Sequence, residues 1–146
     1  MVEILGDRSK EIAGDLQWSL IGEHEHLLGF RADVVSNQRW PIFINASYNP
    51  EARTLSYALI HRGFGARIYG LCMGKAHRNP DTGQNMGELH KHQWRDPYRD
   101  QYAYIPADIT ASIEDPFAVW REFCSEALIE HRGQLLSGPP KQLELP

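Results

Sequence analysis

Short apolar runs, each ended by a turn sequence, constrain the fold more than any other feature of this chain. Four such runs fall between Leu27 and Met73, and the second alternates apolar and polar residues from Ile42 to Tyr48. Alternation with a period of two residues is typical of a strand that is buried on one face. No stretch between the runs is long enough for the crossover helix that parallel neighbours require. The pattern therefore predicts an antiparallel meander.

Two more strands and one helix are predicted after the meander. Residues 88–94 and 101–105 are strand-like. Asp115 followed by Pro116 is typical of a helix start, because Asp caps free backbone N–H groups and proline is tolerated at the first helical position. Apolar residues then recur at helical spacing as far as His131. The sequence predicts an α+β fold, a twisted antiparallel sheet of about five or six strands with a C-terminal helix packed on it.

Length and composition favour a single domain over residues 1–146. Residues 1–15 carry little pattern and are predicted to be weakly structured, and residues 134–146 form a Pro-rich tail. No apolar run approaches the ~20 residues that span a bilayer, and the acidic start does not resemble a secretory signal. We therefore expect a cytoplasmic protein with no membrane partner, in which Cys72 and Cys124 are buried free thiols.

The charge is distributed unevenly along the chain. The net charge of −4 argues against a protein that coats DNA without sequence preference. Between His61 and Tyr104, however, seven Lys and Arg face four acids, which gives +3 and leaves −7 for the remainder. A positive cleft on an acidic body suits an anionic ligand such as a phosphodiester.

Residues 74–106 hold the residues that could carry chemistry. Alternation on a strand places His90 and His92 on one face together with Glu88, while Lys91 points the other way. A loop that contains His77 and the turn sequence Asn79-Pro80-Asp81-Thr82-Gly83 could fold over this row. We expect His77, His90 and His92 to converge on one site.

Two chemistries are compatible with this convergence, and a non-enzymatic protein with structural histidines is a third possibility. Without a metal, His90 and His92 would be the general acid and base of an endoribonuclease, and His77 a third catalytic group. With a divalent metal such as zinc, His77, His90, His92 and Glu88 would be the ligands. RNA would be bound by arginines that stabilise phosphate charge and by a tyrosine that stacks on bases; the candidates are Arg78, Arg95, Arg99 and Tyr104.

The segment KAHRNPDTG, followed by LHKH and YAYIP, resembles an uncharacterised family of small phage and bacterial proteins. Their pattern is a G-x-x-H-x-N-P-D-G loop followed by H-x-H, with Thr82 inserted here before the last glycine. LHKH is also similar to the H-H-K-H segment of toxin–antitoxin ribonucleases, which implies RNA and an antitoxin protein as partners. The first resemblance implies that these residues form the loop and the site: His77, Asn79, Pro80, Asp81, Gly83, His90 and His92.

Overall fold

A computed structural model describes residues 1–23 and 25–136 of the chain. The elements follow one another in the order α1 Val2–Gly6, β1 Lys10–Ala13, β2 Leu16–Gln17, β3 Ser19–Leu20, β4 Leu28–Val34, β5 Ile42–Asn49, β6 Thr54–His61, β7 Ala66–Met73, β8 Leu89–Gln93, β9 Ala103–Tyr104, α2 Pro116–Glu126, β10 Ile129–Arg132 and β11 Leu135–Leu136. The predicted α+β class is confirmed.

Strands β3 to β9 form one antiparallel sheet of seven strands in sequence order. Each strand pairs with the next one in the chain, as the meander pattern predicts. One face of this sheet is apolar, and it includes Ile44, Tyr57, Leu59 and Leu71, all of which are fully buried. We call this the core face, and we call the opposite one the open face.

Helix α2 covers the core face. The Asp115 carboxylate accepts a hydrogen bond from Ala118 N, so that it caps the helix as the sequence predicts. Trp120 and Phe123 bring their rings to 5.0 and 5.7 Å from the ring of Tyr57. The Tyr57 hydroxyl donates to the carbonyl of Pro116 at 2.7 Å, which satisfies a polar group in the apolar layer.

The helix ends earlier than the sequence predicts. It stops at Glu126 rather than at His131, because Leu128 has a φ of 58° and turns the chain out of the helical path. The following strand β10 then pairs in parallel with β1, and His131 lies on that strand. Its Nδ1 accepts from Trp120 Nε1, and its Nε2 donates to the carbonyl of Gly14.

The N-terminal segment is more ordered than the sequence predicts. Residues 1–15 contain α1 and β1, and both Ile4 and Ile12 are buried in the core. The buried Lys10 donates from Nζ to the carbonyls of Ile4 and Leu5 at the end of α1. Parallel pairing of β1 with β10 and of β2 with β11 joins the two ends of the described chain.

The predicted Pro-rich tail is described only in part. Leu135–Leu136 forms β11, and residues 137–146 lie outside the described residues. Among the helices that are described, none is long and apolar enough to cross a membrane.

Candidate functional site

The candidate site lies on the open face, where β7 and β8 run side by side. Cys72 is the direct partner of His90, and Gly70 is the direct partner of His92. Side chains alternate in direction along β8, so Lys91, which lies between the two histidines, pairs with Leu71 on the core face. His90, His92 and Cys72 therefore project from the same side of the sheet.

The loop between β7 and β8 brings a third imidazole to this pair. Ring centroids lie 4.8 Å apart for His90 and His92, 4.7 Å for His77 and His92, and 5.5 Å for His77 and His90. The convergence of the three histidines that the sequence predicts is therefore present in the structure.

A buried asparagine fixes the loop that carries His77. Asn79 Nδ2 donates to the carbonyl of Ala103, and Asn79 Oδ1 accepts from the N–H of Ala103, each at 2.7 Å. The loop turns back at Gly83, which has a φ of 69° and donates its N–H to the carbonyl of Asn79. Pro80 and Asp81 lie exposed at the tip of this turn and do not reach the imidazoles.

Each imidazole donates one ring hydrogen to a backbone carbonyl. His90 Nδ1 lies 3.0 Å from Gly87 O, His92 Nδ1 lies 2.9 Å from Asp100 O, and His77 Nε2 lies 2.6 Å from Gln101 O. A carbonyl oxygen can only accept, so the ring nitrogen must carry the hydrogen. In the neutral rings of His90 and His92, the lone pair is then on Nε2, and in His77 it is on Nδ1.

Burial keeps the two strand histidines neutral. His90 and His92 are 2% and 3% exposed. Desolvation lowers the pKa of His92 to about 3, with a further contribution from the positive charge of Arg67. Desolvation also lowers the pKa of His90. At neutral pH both rings are therefore unprotonated bases with a free lone pair.

Cys72 completes the cluster. Its sulfur and one ring nitrogen each from His90 and His92 all lie within 4.8 Å of one another. The Arg67 guanidinium donates to the sulfur at 3.8 Å and to the carbonyl of Asp100 at 3.1 Å. Gly70 gives this arginine its space, because a Cβ there would stand 2.6 Å from Arg67 Cδ.

Sequence reasoning did not assign Cys72 to the site. It is free in the structure, as the sequence predicts, but it is half-buried beside the histidines. A signal was available, because Cys72 and Gly70 share one strand face and antiparallel pairing with 88–94 places that face beside the His-x-His pair. Cys124, by contrast, is buried on α2 under the core face.

The predicted metal ligand Glu88 and the predicted RNA-binding Tyr104 do not belong to this cluster. Glu88 is exposed just before β8, and Cys72 takes the place that the sequence assigned to it. Tyr104 pairs with Lys91, so its side chain lies on the core face, with its hydroxyl 3.5 Å from that of Tyr69. Tyr104 therefore cannot stack a ligand that is bound at the imidazoles.

The three candidate arginines lie outside the imidazole cluster. Arg78 is exposed and donates to the carbonyl of Gly83 within its own loop. Arg95 and Arg99 face each other across a tight turn, with backbone hydrogen bonds of 3.0 and 2.8 Å in both directions. Their guanidinium groups lie over the rings of Tyr102 and Trp94.

Lys91 has a structural environment. It is fully buried on the core face, where its ammonium group donates to the Tyr69 hydroxyl at 2.8 Å and to the Asp108 carboxylate. The expectation that it points away from the histidines is confirmed. It therefore stabilises the sheet from behind the site rather than contacting a ligand.

Comparison with known proteins gives one match. The sequence model of a family of unknown function (DUF6978) matches residues 9–129, a span that includes all of the elements from β1 to α2. Neither a curated protein nor a solved structure matches the chain.

Proposed function

We propose that this chain, which belongs to the family of unknown function, binds zinc through Cys72, His90 and His92, with His77 as the fourth ligand. The observation that carries the proposal is the cluster of one sulfur and two imidazole nitrogens within 4.8 Å. Thiolate and neutral imidazole are the ligand types that structural zinc sites use. Zinc would then connect the loop that carries His77 to the open face of the sheet.

The hydrogen bonds around the cluster support a metal site. Histidines that bind a metal usually donate their other ring hydrogen to a carbonyl or carboxylate, which fixes the ring and its tautomer. His90 and His92 each donate from Nδ1 to a backbone carbonyl, so both would bind the ion through Nε2. His77 would bind through Nδ1, since its Nε2 is at the carbonyl of Gln101.

The distances require a small contraction. Four ligands at about 2.0–2.3 Å from a tetrahedral ion stand roughly 3.3–3.8 Å apart. The donor atoms of Cys72, His90 and His92, which lie within 4.8 Å of one another, therefore need to approach by about an ångström to reach that geometry. Side-chain rotation of Cys72, which is half-buried, would supply this approach.

The same features weigh against metal-independent cleavage of RNA. An acid–base pair needs one imidazole that is protonated near neutral pH. The pKa values of both His90 and His92 are lowered by burial, so neither ring of the predicted pair is the protonated partner at neutral pH. Ribonuclease activity, RNA as a substrate and an antitoxin partner remain predictions from the resemblance of LHKH to toxin–antitoxin ribonucleases.

Metal analysis of protein purified without an affinity tag tests the zinc proposal. We expect about one zinc per chain, and a cobalt-substituted sample should show a thiolate-to-cobalt charge-transfer band that Cys72→Ser abolishes. His77→Ala and Cys72→Ser should each weaken binding, while Cys124→Ser and His26→Ala should not, because His26 is exposed beside Glu51. Less than about a tenth of an equivalent after incubation with zinc would reject the site.

RNA cleavage is tested separately with the same samples. Incubation of RNA with protein in EDTA should leave the RNA intact if His90 and His92 are metal ligands. Cutting in EDTA that gives 2′,3′-cyclic phosphate ends, and that is lost in His90→Ala, would replace the zinc proposal with the acid–base mechanism.

A further inference from the structure

A second feature of the molecule is a set of exposed arginines that lie on aromatic rings. Guanidinium carbons stand 3.9 to 4.9 Å from ring centroids in four contacts. The contacts are Arg31 and Arg62 on Phe43, Arg95 on Tyr102, and Arg99 on Trp94. All four arginines are exposed, so in each case a flat cation is held in place while it remains accessible to a partner.

The end of β6 and the turn that follows it carry His61, Arg62 and Phe64, and they lie between the contact of Arg62 with Phe43 and the contact of Arg99 with Trp94. The ring of His61 stacks on Phe64 at 4.3 Å, and Phe64 stacks on Trp94 at 5.2 Å. Arg99 then lies over Trp94 at 4.9 Å. Arg62, which follows His61 in the chain, lies over Phe43 on the open face. The rings of His61, Phe64 and Trp94 thus form one stack with Arg99 at one end, and the chain connects His61 at the other end to Arg62.

Phe64 is the exposed ring of this surface, while Trp94 is half-buried and packs against the core beneath it. Phe64 is 46% exposed, although a large apolar side chain at a turn would gain from burial. Desolvation lowers the pKa of His61, so this ring is uncharged at neutral pH and can stack as a neutral aromatic. Gly63 leaves room for it, because a Cβ there would stand 2.8 Å from the His61 ring.

The surface carries a small net positive charge. Asp33 is paired with Arg62, and Asp96 is exposed in the same turn as Arg95 and Arg99. Among the ion pairs of the described residues, Arg31, Arg95 and Arg99 have no acidic partner. A stack of three rings with guanidinium groups beside it matches two features of a single-stranded nucleic acid. Its bases have flat π-faces, and its backbone carries a negative charge at every phosphate.

We propose that this surface, formed by residues 61–64 with Phe43 and the turn at 94–102, binds single-stranded nucleic acid. The arginines would contact phosphates, and the Phe64 and Trp94 rings would stack with bases. The surface flanks the zinc site, because Trp94 follows His92 by two residues and Arg99 precedes Asp100, whose carbonyl fixes the His92 ring. The proposal does not depend on zinc, since none of these side chains is a proposed ligand.

Fluorescence anisotropy with a labelled oligouridine of about 12 nucleotides, within the ~4–16 nucleotides that one binding surface covers, tests this directly. We expect micromolar binding that weakens steeply between about 50 and 200 mM salt. Phe64→Ala should weaken binding at least about fivefold, because stacking on a base is lost. The double variant R95Q/R99Q should weaken binding and reduce the salt dependence.

Matched controls distinguish binding at this surface from a general effect of positive charge or of exposed apolar side chains. Arg121→Gln removes one exposed positive charge from α2, and Leu20→Ala removes an apolar side chain with 43% exposure from β3 at the far edge of the sheet. Both should bind as the parent does. The proposal is rejected if about 100 µM protein shows no binding at low salt, if Phe64→Ala binds like Leu20→Ala, or if polyglutamate competes as well as oligouridine.

Discussion

The side-chain amide of Asn79 forms both of its 2.7 Å hydrogen bonds with the backbone of one residue, Ala103. An amide that both donates to and accepts from one residue imitates the neighbouring strand that β9 lacks on this edge. The loop that carries His77 is therefore attached to the sheet by a side chain. Asn79 is 5% exposed, so water does not compete with this attachment.

Asn79→Ala should detach the loop and weaken the metal site. We expect the free energy of unfolding to fall by about 2–4 kcal/mol, because two hydrogen bonds are lost and buried backbone groups are left without this partner. Zinc affinity should fall roughly 10–100-fold, as is usual when a group that orients a ligand is removed. Urea titrations with and without zinc measure both effects. Asp81→Ala, in the exposed tip of the same loop, is the control and should change neither quantity.

Gly70→Ala should destabilise the protein mainly because the new methyl group collides with the Arg67 side chain. The new Cβ would stand 2.6 Å from Arg67 Cδ and 3.3 Å from both Arg67 Cγ and the carbonyl oxygen of Tyr57, so the Arg67 side chain must move away from Gly70. We expect a cost of about 1–3 kcal/mol, which is typical of overpacking. Thermal unfolding measures it, and Gly6→Ala, where the new Cβ meets nothing within 4 Å, is the control.

The cause of that cost can be isolated with a double-mutant cycle. Arg67→Ala removes the nearest atoms that the new methyl group meets and leaves the Tyr57 carbonyl at 3.3 Å, so Gly70→Ala should cost much less in that background. An equal cost in both backgrounds would show that the strain arises from the backbone and not from Arg67.

The sequence predicted the fold class and the convergence of the histidines because both follow from local patterns. Alternation along β8 places His90 and His92 together whatever their neighbours are. Cys72 was missed because its place in the site depends on the register of β7 against β8, and a long loop between two strands does not fix that register. The direction of Tyr104 could not be predicted for a similar reason, since β9 has only two residues and the pairing of Tyr104 with Lys91 decides which face it occupies.

The predicted C-terminal end of α2 was wrong because a non-local contact determines where the helix stops. Residues 129–132 continue a helical apolar pattern in the sequence, yet they pair with Lys10–Ala13 at the opposite end of the chain. Local propensity is weak compared with tertiary pairing of this kind. The same contact explains why the N-terminal segment, which has no clear pattern of its own, contains a helix and a strand.

The metal-free protein should lose stability in acid through His92. In an unfolded chain this imidazole titrates near a pKa of about 6.5, whereas burial in the fold lowers its pKa to about 3. Between these two values the unfolded state binds more protons, so the stabilisation is complete above pH ~6.5 and is lost as the pH falls towards ~3. Urea titrations between these limits should show a steep decline that is shallower in His92→Asn.

A variant that changes no titratable group is the control for that acid titration. Leu20→Ala, at an exposed side chain on β3, should leave the slope of stability against pH equal to that of the parent, because it alters no proton-binding group. If His92→Asn and the parent decline in parallel, the buried imidazole does not govern acid unfolding.

The buried pair formed by Lys91 and Asp108 should respond asymmetrically to substitution. Lys91 is fully buried, while the Asp108 side chain is 31% exposed, so removing the acid leaves an uncompensated ammonium group in the core. We expect Asp108→Ala to cost about 3–5 kcal/mol. Lys91→Met has a similar volume and leaves a carboxylate that water can partly reach, so its cost should be much smaller. Urea unfolding of the two variants measures the difference, and Lys91→Met should still bind zinc, because its side chain and the imidazoles lie on opposite faces of β8. Loss of zinc binding in Lys91→Met at unchanged stability would mean that Lys91 contributes to the site.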